Sequence, residues 1–128
     1  MDTFEIELYT SYYSKVASMD TSEYVLIQIS VSKPKWFGKP TYSCSDLYPD
    51  WGLVDSYKKG YITEEEYLER YTAGRSERMR LDILESIKHI CRIERKTKAV
   101  LLCWEGKGKF CHRYSAGEWI QPGCKELE

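Results

Sequence analysis

Histidine is scarce in this chain: its 128 residues include two, His89 and His112. Sites built from two or three imidazoles, such as a His-x-x-x-His zinc site, are thereby excluded or nearly so. Long apolar runs are missing as well. None approaches the roughly 20 residues that a membrane span needs, and no basic segment leads into an apolar stretch at the N-terminus. These absences predict a cytoplasmic protein with no membrane partner. An excess of charge of one sign is absent too, with 19 basic residues against 20 acidic ones and a net charge of −1. Nothing in that balance draws the chain to nucleic acid, which is disfavoured as a partner. Cysteines number five, an odd count, and no secretion signal accompanies them. That pattern predicts reduced thiols rather than a disulfide framework.

What is present suits a folded domain. Hydrophobic residues make up 42% and charged residues 30%, so residues 1–128 are expected to form a single domain. Such a domain buries roughly two-thirds of the surface its unfolded chain exposes, without needing disulfides or metal. Phe4, Ile6 and Leu8 alternate with Glu5 and Glu7, which reads as a strand with one covered face. Residues 24–31 and 99–104 are nearly continuous β-favouring runs, as expected for strands buried on both faces. Helical patterns separate these runs. Thr63-Glu64-Glu65-Glu66 is a capping box leading to Tyr67, Leu68 and Tyr71, with Gly74 as the stop. Ser76 can cap the clearest helix, whose apolar stripe is Met79, Ile83, Leu84, Ile87, Ile90 and Cys91. His89 falls on its polar side and reads as a solvated surface residue. A last helix is expected over residues 112–120. Buried strands alternating with helices predict an α/β fold: a small, mainly parallel, Rossmann-like sheet with crossover helices. Residues 33–50 read as a long functional loop.

The chemistry concentrates after the last buried run. Leu101-Leu102-Cys103-Trp104 ends a strand, a Gly-Lys loop follows, and Cys111-His112-Arg113 opens a helix. Ligands of parallel sheets bind beyond the carboxyl ends of strands, close to helix N-termini. Free N–H groups and the helix dipole attract anions there. That field, with Arg113, would lower the pKa of Cys111, and His112 would act as proton carrier or as a further cation. Cys103, Cys111 and His112 are therefore the candidate catalytic groups, and Arg113 the candidate ligand holder. Against this stands the plain alternative of a packed thiol at Cys103 and solvated first-turn residues at His112 and Arg113.

Several familiar motifs fail. Gly106-Lys107-Gly108-Lys109 lacks the spacer and the Ser/Thr of a phosphate-binding Walker loop. The Cys-x5-Arg phosphatase spacing would need Arg at position 109 or 117, where Lys109 and Gly117 stand. Cys103-x7-Cys111-His112 lacks the paired Cys-x2-Cys spacing of structural zinc, so no metal and no cofactor are expected. Other strand ends add Thr10, Ser11 and Tyr12 after the first strand, and Ser32 and Lys33 after the second. Arg70, Tyr71 and Arg75 lie around the end of the acidic-capped helix. Lys33, Lys35, Arg75 and Arg113 are candidates to converge on a phosphate or carboxylate, and Tyr12, Tyr42 or Tyr71 to stack on a planar ligand.

Leu101-Leu102-Cys103-Trp104-Glu105, Phe110-Cys111-His112-Arg113 and Glu118-Trp119-Ile120 together resemble the signature of a known family. It is the bacterial and phage domain-of-unknown-function family numbered 488. Leu8-Tyr9-Thr10-Ser11-Tyr12 is similar to its opening strand and turn, and Ile29-Ser30-Val31-Ser32 with Lys33-Pro34-Lys35-Trp36 to its second strand and Pro-Lys segment. Asp46-Leu47-Tyr48-Pro49 and the stretch from Tyr57 to Tyr67 extend the likeness. Lys33 stands where members often carry arginine, and Ser11-Tyr12 where many have a Gly-containing turn. The resemblance implies a small parallel α/β fold of bacterial or phage origin, and no particular reaction.

Three functions fit these residues. The first is a thiol-dependent enzyme handling an anionic, nucleotide-like small molecule. The second is a non-catalytic module that binds or sequesters the same ligand. The third is a protein-interaction module using Trp36, Phe37 and Tyr42 as contact surface. The oligomeric state is left open by all three.

Overall fold

The β-favouring runs become the middle of a five-stranded parallel sheet in the computed structural model, which describes residues 4–49, 51–104 and 112–127. The strands are β1 (Glu7–Tyr12), β2 (Tyr24–Gln28), β3 (Tyr42–Ser43), β4 (Lys98–Cys103) and β5 (Lys125–Glu126). The helices are α1 (Tyr13–Ala17), α2 (Trp51–Lys58), α3 (Glu64–Ala73), α4 (Glu77–Glu94) and α5 (His112–Ile120). Strand order is β3-β2-β4-β1-β5, with every pairing parallel. β4 lies in the centre, in register with β1 from Glu7↔Lys98 to Tyr12↔Cys103 and with β2 from Tyr24↔Lys98 to Gln28↔Leu102. Its continuous apolar run follows from that position, because both faces are covered.

Alternation along the strands separates two cores. Ala99, Leu101 and Cys103 join Leu8, Val25 and Ile27 on the face covered by α3, α4 and α5. Val100, Leu102 and Leu26 face the other way, under Tyr13 and Val16 of α1, Phe37 and Leu127. Both anticipated caps form. Thr63 accepts from the Glu66 amide at 3.1 Å while Glu66 accepts from the Thr63 amide at 3.2 Å, and Ser76 accepts from the Met79 amide at 3.1 Å. Ile83, Ile87 and Cys91 are the buried line of α4, and His89 is exposed on its far side.

Four expectations are corrected. The first strand begins and ends later than its alternation suggested, so Thr10, Ser11 and Tyr12 belong to β1 itself. Pairing with β4 extends the strand that far, a long-range effect absent from the local pattern. The second strand stops at Gln28 rather than at residue 31. Residues 33–50 are not one loop, for they hold β3 and a 3-10 turn, Ser45–Leu47. Phe37 is buried, its ring edge-on to Tyr13 at 5.1 Å, whereas Trp36 is 59% exposed. Among the described residues no helix is long and apolar enough to cross a membrane.

Candidate functional site

β1 and β4 end side by side at Tyr12 and Cys103, and α5 begins against them at His112. Gly117 permits that approach. A Cβ at this position would lie 2.8 Å from Thr10 Cγ2 and 3.1 Å from Cys124 Sγ, so a larger residue would force Thr10, Cys124 or α5 itself to shift. Residues 105–111, and with them the expectation placed on Cys111, lie outside the described residues.

Arg113 is the largest fully buried side chain among the described residues. Its Nε and Nη2 donate to the two carboxylate oxygens of Glu126 at 3.1 and 2.8 Å. Nη1 donates to Cys103 Sγ at 3.3 Å and Nη2 also to the Tyr114 hydroxyl at 2.8 Å. The guanidinium carbon lies 4.5 Å from the Tyr114 ring centroid and 5.5 Å from that of Tyr12. Thr10 Oγ1 donates to Glu126 Oε1 at 2.5 Å. Glu126 reaches this position because β5 pairs with β1 at Thr10↔Glu126. The result is a two-pronged carboxylate–guanidinium pair, a geometry that Arg supports and Lys does not. The solvated first-turn arginine of the plain alternative is thus replaced by a buried, charge-compensated one.

Cys103 is disulfide-bonded, and Cys44, Cys91 and Cys124 are free thiols. This corrects the expectation of reduced thiols throughout: an odd total guarantees one unpaired cysteine but does not forbid a pair. The free thiols are inert by environment. Burial pushes the thiols of Cys44 and Cys91 up, and burial with the Glu118 and Glu126 carboxylates pushes Cys124 up to about 11.

His112 is buried, with Nε2 2.7 Å from the Ile29 carbonyl oxygen. Burial, aided by the Arg113 and Arg75 charges, lowers its pKa to about 4 against the opposing pull of that hydrogen bond. At pH 7 the imidazole is neutral and its Nε2–H donates to Ile29, so the role of extra cation is withdrawn. Tyr71 sits beside it, ring centroids 6.2 Å apart. The Tyr71 hydroxyl donates to the Leu47 carbonyl at 2.7 Å and burial raises its pKa strongly, which makes it a core tyrosine rather than an exposed stacking platform.

The remaining candidates disperse. Strand alternation sends Ser11 to the face opposite Thr10 and Tyr12. There it is fully buried, with no hydrogen-bond partner for Oγ among the described residues. The Ser32 carbonyl accepts from Ser30 Oγ and from Trp104 Nε1, at 2.7 and 2.8 Å. Lys33 turns to Thr41 Oγ1 at 3.3 Å. The fold thus gathers Cys103, Arg113, Tyr12 and Thr10, with His112 and Tyr71 forming a second pair on the same face. Sequence reasoning missed Glu126 and Gly117. No local signal marks Glu126, whereas a glycine inside a helical pattern is itself a hint of close packing. Among the described residues no cluster of three His, Cys, Asp or Glu side chains is placed to hold a metal ion. No protein-family model, no curated protein and no solved structure matches the chain.

Proposed function

We propose that this chain is a binding module for a small anionic ligand, received at the carboxyl ends of β1 and β4 in front of α5. The observation that carries the reading is the Arg113 guanidinium, buried and already oriented two-pronged on a carboxylate. Glu126 acts as an internal stand-in for the ligand. It sits on a strand of two residues and its side chain is 19% exposed, against 0% for Arg113. The first turn of α5 carries no acidic residue, so its dipole favours an incoming anion. Trp104, exposed just beyond Cys103, offers a stacking face for a nucleotide-like planar group. Binding is favoured over catalysis because the groups nominated for chemistry are engaged: His112 is neutral and bonded, and Cys103 is oxidised. Glu126→Gln tests the reading, since it keeps the side chain's size and removes the competing charge. Nucleoside monophosphates and dicarboxylates should raise the Tm of wild type, and that of the variant more. Anions that leave both unmoved at millimolar concentration would sink the idea.

A second reading, thiol-dependent chemistry, rests on the 3.3 Å approach of Arg113 Nη1 to Cys103 Sγ. After reduction by a small dithiol, that cation would favour the Cys103 thiolate. Alkylation by iodoacetamide, mapped by mass spectrometry between pH 5 and 9, checks it. Cys103 labelling that rises only above about pH 8, like an ordinary thiol, removes the second reading and leaves the first intact.

A further inference from the structure

Arg75 lies between the end of α3 and the start of α4 and takes no part in the Arg113–Glu126 pair. It borders a groove of about 570 Å³ whose lining includes Gly52, Ser56, Arg70, Tyr71 and Met79 and, among the described residues, no acidic side chain. Its guanidinium is held over the Tyr71 ring, 4.0 Å from the centroid. Nη1 donates to the Tyr71 carbonyl and Nη2 to the Asp46 carbonyl, the latter at 3.1 Å. Both acceptors are neutral. Among the described residues the buried Nε has no hydrogen-bond partner, and no carboxylate forms an ion pair with Arg75. A half-buried guanidinium fixed in place with no counter-charge is a costly arrangement for the folded chain alone. Arg70 adds a second cation to the groove. Its pairing with Glu66 at 3.9 Å is an exposed i,i+4 contact that contributes little and can reorient.

We infer that this groove is a second ligand site, and that it takes a phosphomonoester. The phosphate would meet Arg75, Arg70 and the Ser56 hydroxyl, with the organic body along Met79 and Leu53. A dianion with three equivalent acceptor oxygens can present one to each of two guanidinium groups and a hydroxyl, whereas a carboxylate carries a single charge and two oxygens. The groove's size falls within the roughly 300–1,000 Å³ of small-molecule sites, and so fits a phosphate with an organic substituent.

Titration of the ¹⁵N-labelled protein with phenyl phosphate, inorganic phosphate and benzoate tests the inference, because amide shifts report position. Saturable shifts are expected at Gly52 and Gly74 with phenyl phosphate, at lower affinity with inorganic phosphate, and least with benzoate. Arg75→Gln should weaken phenyl phosphate by about tenfold and the exposed Arg70→Ala by about threefold. If Arg75→Gln does not fold, Arg70→Ala decides. The inference is overturned by silence at Gly52 and Gly74, by benzoate binding as tightly as phenyl phosphate, or by unchanged affinity in the variants. Shifts confined to Ser115 and Gly117 also overturn it, while favouring the anion site in front of α5.

Discussion

Arg113 and Arg75 are two guanidinium groups of one small domain, each resting against tyrosine rings and each near the start of a helix, yet they have different electrostatic fates. Arg113 is fully buried and meets the carboxylate of Glu126, 13 residues later in the chain. Arg75 is half-buried and meets Asp46, 29 residues earlier, through that residue's backbone carbonyl. The difference teaches that an arginine's charge is compensated or left over according to which atom of a distant residue the fold delivers. One region is a closed ion pair that holds β5 to the sheet. The other is an open cation beside a groove.

The largest test of this contrast removes the closed pair. Arg113→Met should cost about 3–5 kcal/mol, because it leaves the Glu126 carboxylate partly buried without its cation. Arg75→Met loses hydrogen bonds to neutral carbonyls but also removes an uncompensated charge, so it should cost no more than about 1 kcal/mol. Urea denaturation measures both, and equal losses would erase the distinction between the two regions.

Acidification probes the wall the two regions share, since His112 feels both arginines. Its folded pKa, about 4, lies below the ordinary 6.5, so the unfolded chain binds the proton first. The stability it contributes is full above pH 6.5 and is lost as pH falls toward 4, about 3 kcal/mol in all. His112→Gln should flatten that part of the pH profile. A variant that keeps the full slope would assign it to other groups.

Gly117→Ala comes next. Its new methyl group would press on Thr10 and Cys124 and should cost about 1–3 kcal/mol. A neutral result would mean that α5 can shift on the sheet, and that the Arg113 region is less rigid than its bonds suggest. The smallest effect is expected beside Arg75. Ser76→Ala removes the α4 cap and should cost about 1 kcal/mol, with phenyl phosphate affinity at the neighbouring groove reduced only slightly.

Local chemistry made the α4 stripe, the Thr63 and Ser76 caps and the buried β4 run legible, because periodicity and capping depend on neighbours a few residues apart. α1 has five residues, and β3 and β5 have two each. Elements this short carry no periodicity and exist because longer ones receive them. The same limit governs the site. Cys103 and Arg113 announced themselves at a strand end and a helix start, while Glu126 is defined only by its pairing with Thr10 across two strands.

The amino-acid sequence by itself determined the α/β class, the central buried strand and the neighbourhood in which the polar candidates cluster. Those follow from burial patterns that every short stretch of chain carries within it. Tertiary structure alone decided that Arg113 would be neutralised, that His112 would be kept uncharged and that Arg75 would be left with carbonyls. Charge compensation and desolvation depend on atoms that only the folded chain brings within a few ångströms.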